Sequence, residues 1–347
     1  HAVLCFWKSG IHLFPVLMGK LTVKVIGLCL LVILITNWSV SQVKVLRYKN
    51  FDPCRVNHLH HNLNDYNVLF VGSSRFGRQI DVKLFDSITT NLNFHSYNYS
   101  FDAAFAPTSI NLANDVLKQS SSNLKVLILE LAPIEFMGEL DPGHVSRSVN
   151  WYSLHDLQFL YSSGSGASGS FYDQLETSLN RFYLTAYRMF SVGEFWKRSL
   201  LSKETCELAG TGANPLPELK KTPELILKLD EIRHSNSTER LASYNLDLSS
   251  SSYLIALNRL AKECQKRNIR LLTVVAPKME ATGISFIESL AKLLNQKNLI
   301  RLNNADEYPA LYSTELTADP GHLNAKGVQS FTEYLSLQVR QVIQQKK

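Results

Sequence analysis

Short, continuous apolar runs alternate along much of the chain with longer segments whose apolar residues recur every three or four positions. Such runs are typical of strands buried on both faces of a parallel sheet, and the longer period is typical of helices packed against it. The predicted strands are 68–71, 94–99, 124–131, 269–276 and 299–302. The predicted helices are about 80–88, 109–118, 251–266, 284–294 and 325–343. The pattern therefore predicts an α/β domain with a doubly wound, parallel, five-stranded sheet.

The alternation is interrupted between residues 137 and 250, which predicts a helical insertion into a domain that spans 66–347. A Gly/Ser tract at 162–170 has the composition of a flexible loop. Aromatic residues at helix-like intervals follow it in 171–196. They predict either the packed core of a cap or a surface that faces carbohydrate or a membrane.

An apolar run near the N-terminus predicts a membrane anchor over residues 21–40, close to the ~20 residues that cross a bilayer. Lys8, Lys20 and Lys24 precede most of this run, so we expect residues 1–20 to be a cytoplasmic tail and the main domain to be periplasmic or extracellular. A cleaved signal peptide and a core helix of the soluble domain are the alternatives.

A polar segment rich in His and Asn follows over residues 41–65. Its composition predicts a linker between the anchor and the folded domain, with metal binding by the histidines as the alternative.

Charge and cysteine usage exclude several classes of function. Lys and Arg number 36 against 30 Asp and Glu, and the resulting charge of +6 is scattered along the chain. Because no basic stripe with interleaved aromatic residues is present, we expect no nucleic-acid partner. The five cysteines show no CxxC or Cys/His spacing. We therefore expect no zinc site.

Three residues have the spacing and placement of a nucleophilic site. Ser74 follows Gly72 and Ser73 where the first predicted strand ends, and Asp319 and His322 stand three residues apart just before the last helix. A serine hydroxyl needs a base to accept its proton, and an imidazole needs a carboxylate to orient it. We predict Ser74 as the nucleophile, His322 as the base and acid, and Asp319 as the residue that orients His322. This serine chemistry requires no metal and no organic cofactor.

These blocks resemble those of the SGNH (GDSL-like) hydrolase superfamily. Gly72-Ser73-Ser74 is similar to the Gly-Asp-Ser block of that family, and Asp319-Pro320-Gly321-His322 is similar to its closing Asp-x-x-His block. The resemblance covers about 66–133 and 251–347. It implies a flavodoxin-like SGNH hydrolase fold and the three catalytic roles given above.

Two blocks of that family are missing. Residues 131–135 read Leu-Ala-Pro-Ile-Glu where the family has Gly-x-Asn-Asp, and Ala103 and Ala104 stand where a second-block glycine is expected. An oxyanion hole that lacks one donor loses on the order of 10²–10³ in rate. Asn98 or a backbone N–H in the 98–107 loop is the candidate replacement.

The candidates for oxyanion or substrate binding are Gly72, Ser73, Arg75 and Asn98. Arg75 and Arg78 would recognise an anionic polymer or an acyl-carrier phosphate, or else face solvent. Glu130 and Glu135 are either alternative acid/base groups or structural carboxylates.

The Gly-Ser-Ser block, the predicted anchor and the missing Gly-x-Asn-Asp resemble the anchored, extracytoplasmic branch that includes the D-alanyl transfer protein and the alginate O-acetylation proteins. The resemblance implies a serine esterase or O-acyltransferase that acts on ester groups of a cell-envelope polysaccharide or another acylated polymer, beside a membrane-bound O-acyltransferase. The alternative is a catalytically weak or inactive partner that binds the polymer or that acyltransferase.

Overall fold

The computed structural model describes residues 22–32, 35, 53–119, 123–134, 159, 216–217 and 221–345. Five strands within these ranges form one sheet: β1 Val68–Val71, β2 Ser96–Asn98, β3 Val126–Glu130, β4 Arg270–Val275 and β5 Leu299–Arg301. Every neighbouring pair is parallel, and the order is β2-β1-β3-β4-β5. The predicted α/β domain with a parallel five-stranded sheet is confirmed, and its strand order is that of a doubly wound sheet.

The two central strands explain why the apolar runs were continuous. All residues of β1 and β3 are buried, because helices cover both faces of the sheet. Glu130 is a charged residue at the end of β3, and it is as buried as its apolar neighbours. A carboxylate in that environment requires hydrogen-bond donors nearby.

Helices connect and cover the strands. Their bounds are α1 Pro53–Asn62, α2 Ser74–Gln79, α3 Val82–Ile88, α4 Thr108–Gln119, α5 Pro223–Ser235, α6 Thr238–Ser243, α7 Ser252–Lys266, α8 Ala281–Lys292 and α9 Ala325–Gln344. The helix α9 packs against α2 and α3, whereas α7 packs against α4, so the helices form two groups. A short antiparallel pair, β6 Thr317–Asp319 and β7 His322–Leu323, precedes α9.

The predicted linker was wrong over the part that the structure describes. Residues 53–62 form α1 instead of a solvated linker, and a 3₁₀ turn follows at 63–65. Val56, Leu59 and Leu63 recur at helical spacing, and all three are buried in the domain core. The His and Asn residues between them concealed this apolar stripe, and the folded domain includes α1.

Part of the predicted insertion also belongs to the main core. Ile232 in α5, Leu241 in α6 and Leu248 are buried against the same cluster as the sheet residues. The Gly/Ser tract, the aromatic segment 171–196 and Glu135 lie outside the described residues.

Little of the predicted anchor is described. Residues 22–32 are helical with exposed apolar side chains, while the predicted tail 1–20 lies outside the described residues. In the ranges that the structure does cover, no helix has the length and hydropathy required to cross a bilayer.

Candidate active site

Two turns meet beyond the carboxyl edge of the sheet. The first follows β1 and places Ser74 at the first position of α2. The second joins β6 to β7, where Asp319 is the paired neighbour of His322. The helix α2 packs against β7, so the two turns are in contact. The carboxyl edge is where ligands bind in open parallel sheets.

The structure brings Ser74, His322 and Asp319 together in one chain of hydrogen bonds. His322 Nε2 lies 2.8 Å from Ser74 Oγ. His322 Nδ1 lies 2.9 Å from each of the two carboxylate oxygens of Asp319. With Nδ1 protonated, the ring donates to Asp319 and Nε2 accepts the Ser74 hydroxyl proton. The side chains of Asp319 and His322 are each 22% exposed, which leaves the couple accessible from solvent.

The surroundings of Asp319 favour its ionised form beside His322. Burial alone would raise its pKa, but the hydrogen bond and charge of His322 outweigh this, and the pKa of Asp319 lies below its ordinary value. The Gly321 N–H also donates to Asp319 Oδ1 at 2.8 Å. The tight turn between Asp319 and His322 therefore satisfies the carboxylate by itself.

The residues after His322 determine where the turn ends and α9 begins. Asn324 caps α9 by accepting from the Gly327 N–H at 3.1 Å, and its own amide donates to the Glu315 carbonyl at 2.7 Å. A Cβ at Gly327 would lie 2.3 Å from the Leu316 carbonyl oxygen, so only glycine fits there. The Asn-x-x-Gly spacing thus holds the His322 turn against the domain.

Hydrogen bonds of Gln79 and Thr332 connect the end of α2 to the second turn and to α9, respectively. The buried Gln79 side chain donates to the Gly321 carbonyl at 3.4 Å. Thr332 in α9 donates to the Gln79 carbonyl and accepts from the Asp81 N–H. These contacts explain how Ser74 reaches His322, and the sequence analysis missed them because glutamine and threonine in helices carry no distinctive pattern.

The first turn is built around Glu130. The Ser73 N–H donates to Glu130 Oε2 at 2.6 Å, and the Ser73 hydroxyl donates to Oε1 at 2.9 Å. A Cβ at Gly72 would lie 2.5 Å from Glu130 Oε2 and 2.7 Å from its Cβ. Ser73 also caps α2 by accepting from the Arg75 N–H. The carboxylate therefore sets the backbone path that presents Ser74.

These contacts correct two predicted binding residues. Ser73 is fully buried and its N–H is already bonded to Glu130, so it has no donor left for a substrate oxygen. Gly72 is buried, and its carbonyl accepts the Phe101 N–H. Both residues shape the turn instead of contacting a ligand. Of the two interpretations of Glu130, the structural carboxylate matches these contacts.

The prediction for Asn98 also needs correction. Its side chain is 5% exposed, and its amide nitrogen donates to the Phe76 carbonyl at 2.8 Å inside α2. The side chain therefore supports the helix that carries Ser74. Its burial and this partner argue against direct contact with an oxyanion.

The two arginines that follow Ser74 differ in environment. The Arg75 side chain is 13% exposed, and its Nη1 lies 4.0 Å from Glu130 Oε1. Arg78 Nε donates to Asp102 Oδ1 at 2.9 Å, and Nη2 contacts Oδ2. The Arg78–Asp102 pair ties α2 to the loop after β2, so Arg78 is not simply a solvated charge.

That loop contains the position where a glycine was expected. Ala103 has a φ of 53°, in the left-handed region that favours glycine. Within the described part of the chain, neither the Ser74 N–H nor the Ala103 N–H has a hydrogen-bond acceptor. Alanine therefore takes a glycine-like backbone conformation beside the turn that carries Ser74.

Glu130 has the opposite electrostatic character to Asp319. Burial raises its pKa, and Arg75, the Ser73 hydrogen bonds and His322 offset this only in part.

No group of three or more His, Cys, Asp or Glu residues in the described ranges could hold a metal ion.

Comparison with known proteins adds no family to this geometry: no protein-family model matches the chain, and no curated protein matches it significantly.

Proposed function

We propose that this chain is a membrane-anchored, extracytoplasmic serine esterase or O-acyltransferase with an SGNH-like fold, acting on ester groups of a cell-envelope glycan. One observation carries the proposal: Ser74 Oγ, His322 and Asp319 form a continuous hydrogen-bonded line at the carboxyl edge of the sheet. A nucleophile, a base and a group that orients the base in this geometry are the parts that acyl transfer requires.

In the proposed reaction, Ser74 Oγ attacks the ester carbonyl carbon while its proton moves to His322 Nε2. The tetrahedral intermediate collapses when His322 gives that proton to the leaving alcohol, and the acyl group stays on Ser74. Water or a sugar hydroxyl then attacks the acyl-enzyme, its proton passes to His322, and collapse returns the proton to Ser74. Asp319 stabilises the imidazolium in both halves of the cycle.

Backbone groups are the donors that we propose for the oxyanion. The Ser74 and Ala103 N–H groups have no acceptor within the described residues, whereas the side chains of Ser73 and Asn98 are already committed to structural contacts. Backbone donors cost little reorganisation during the reaction because the fold holds them in place. Two such donors would offset the missing asparagine of the family.

The proposed membrane location and the proposed substrate are supported by observations other than the hydrogen-bonded line. The exposed apolar side chains of the 22–32 helix agree with an anchor in this part of the chain. The resemblance of the Gly-Ser-Ser and Asp-x-x-His blocks to the anchored branch supports a polysaccharide or another acylated polymer as the substrate, with a membrane-bound O-acyltransferase as partner.

The alternative is a weakly active or inactive partner that binds the polymer or the acyltransferase. It is favoured by the structural contacts of Gly72, Ser73 and Asn98, because the one side-chain amide predicted for the oxyanion, that of Asn98, already donates to the Phe76 carbonyl.

A serine-directed fluorophosphonate distinguishes the two functions. We expect the full-length chain in detergent to be labelled at Ser74, as read by mass spectrometry of the modified peptide. Ser74→Ala should lose all labelling. Ser249→Ala is the matched control, because Ser249 is exposed and remote in sequence from the site, and its labelling should equal that of wild type. Failure of the wild type to react, or labelling that persists in Ser74→Ala, would contradict the enzyme and favour the partner.

A further inference from the structure

A buried lysine lies next to the strand that ends at Asp319. Lys278 follows β4 at the carboxyl edge of the sheet, and only 1% of its surface is exposed. Its Nζ donates to Thr317 Oγ1 at 2.6 Å, and Thr317 in turn donates to the Ser313 carbonyl at 2.7 Å. Thr317 begins β6 and Asp319 ends it. The amine is therefore held by a residue two positions from the carboxylate that orients His322.

A lysine at position 278 is energetically unfavourable for two reasons, its burial and its backbone conformation. Burial of an ammonium group is unfavourable unless opposite charge lies close, and in the described part of the structure no carboxylate forms an ion pair with it. Its φ of 63° is in the left-handed region, which is unfavourable for a residue with a Cβ. Buried ionisable groups with such costs concentrate at functional sites.

The electrostatic surroundings link Lys278 to Asp319. Burial lowers the pKa of Lys278 to about 7, while the negative charge of Asp319 acts to raise it. The Lys278 N–H donates to the Tyr312 hydroxyl at 3.3 Å. Burial raises the pKa of that hydroxyl; the charge of Arg75 acts to lower this pKa, and the charge of Glu288 acts to raise it. The charge of Asp319 therefore opposes the loss of the Lys278 proton, and Arg78, which pairs with Asp102, is a second cation that interacts with Asp319.

We propose that Lys278 is a positioning residue whose buried ammonium, held by Thr317, stabilises the ionised form of Asp319 and thereby favours the proton-accepting form of the Asp319–His322 couple. This inference rests on the proposed function. Lys278 touches neither Ser74 nor the reacting atoms and acts through Asp319. A cation near the couple disfavours a further proton on it, so its removal should shift the active form to higher pH.

The test is the rate of fluorophosphonate labelling of the full chain between pH 5.5 and 9. At pH 6 the wild-type ammonium is charged, and we expect Lys278→Met to react roughly three- to tenfold more slowly, corresponding to a displacement of up to about one pH unit. At pH 9 the wild-type amine has lost its proton, and the two rates should agree within about twofold. An equal loss at every pH, or no loss at pH 6, would overturn the proposal.

Lys326→Met is the matched control, because it removes the same charge from an exposed position four residues after His322. Its labelling profile should follow that of wild type. If Lys278→Met does not fold, Thr317→Val keeps the lysine but removes the hydroxyl that accepts from the ammonium, together with its bond to the Ser313 carbonyl. We expect a smaller loss at pH 6 and none at pH 9, and an unchanged rate at pH 6 would count against the proposal.

A second readout does not depend on reactivity. In protein labelled with ¹³C at the lysine ε-carbon, the Lys278 signal, identified by its absence in Lys278→Met, should titrate near pH 7. Asp319→Asn should move that titration to lower pH, because the negative charge that favours the ammonium is gone. An unchanged titration would refute the link between the two residues. A displaced titration in a protein that the fluorophosphonate does not label would refute the proposed function and leave the link standing.

Discussion

The turn that carries Ser74 and the turn that carries His322 meet at one hydrogen bond, yet each is organised around a carboxylate of a different kind. Glu130 is fully buried and accepts the N–H and the hydroxyl of Ser73. Asp319 is 22% exposed and accepts from Gly321 and from the His322 ring. The first carboxylate holds a backbone path, and the second is coupled to a group that can carry a proton.

Burial and partners shift the two carboxylates in opposite directions. Burial raises the pKa of Glu130, whereas the hydrogen bond and charge of His322 overcome the burial of Asp319 and lower its pKa. Pairs of acidic groups separated in this way commonly divide their roles. The comparison indicates that a carboxylate near the nucleophile is not necessarily part of the proton relay.

The largest expected effect is on the second turn. Asp319→Asn keeps the shape of the side chain but stabilises the wrong tautomer of His322. We therefore expect the fluorophosphonate labelling rate to fall by about 10³–10⁴-fold. The midpoint of thermal unfolding at neutral pH should fall only modestly, since Asn can still accept the Gly321 N–H. A labelling rate within tenfold of wild type would show that Asp319 does not orient the base.

The matching change in the first turn should affect stability most. Glu130→Ala leaves the Ser73 N–H without its acceptor and opens a cavity, which should lower the free energy of unfolding by about 2–4 kcal/mol in denaturant titrations. Glu130→Gln keeps the volume and one acceptor, and should lose less than half as much. Equal losses in the two variants would assign the role of Glu130 to its charge instead of its hydrogen bonds.

Gly72→Ala tests the close approach of the Gly72 backbone and the Glu130 side chain in the first turn. The added methyl group would lie 2.5 Å from Glu130 Oε2, and we expect a loss of about 1–3 kcal/mol from overpacking together with slower labelling of Ser74. Gly321→Ala is the control from the second turn, where the nearest heavy atom is 3.7 Å away. A tolerated Gly72→Ala variant would mean that the turn can move without displacing Ser74.

The smallest expected effect is the pH dependence of the stability that each carboxylate contributes, which should have opposite signs in the two turns. Because the folded pKa of Glu130 is raised above its ordinary value of 4.5, its contribution to stability is present below that value and is lost as the pH rises. The stability deficit of Glu130→Gln relative to wild type should therefore shrink as the pH rises above 4.5.

Asp319 should behave in the reverse way. Its folded pKa lies below the ordinary value of 3.8, so its contribution is present above that value and is lost as the pH falls. Asp319→Asn should consequently approach wild-type stability toward pH 3. Parallel pH profiles for the Glu130 and Asp319 variants, measured by thermal unfolding, would remove the distinction between the turns.

How far the sequence could predict this molecule depends on the range over which each feature is determined. The strand at 68–71 has the predicted bounds because a continuous apolar run is itself the requirement for burial on both faces. The helix α1 was missed because its apolar stripe of Val56 and Leu59, which Leu63 continues in the following 3₁₀ turn, is narrow and lies among polar residues. Its burial depends on a sheet that follows it in the chain.

The sequence by itself determined the local parts of the candidate site: the serine at a strand-to-helix turn, and an aspartate and a histidine at the spacing of one tight turn. Only the tertiary structure decided which groups meet. Ser74 and His322 are 248 positions apart, and Ser73 and Glu130 are 57 apart, so no local pattern encodes either contact. Burial then gave Glu130 and Lys278 their properties, because the cost of a charge depends on the atoms packed around it and not on its neighbours in the chain.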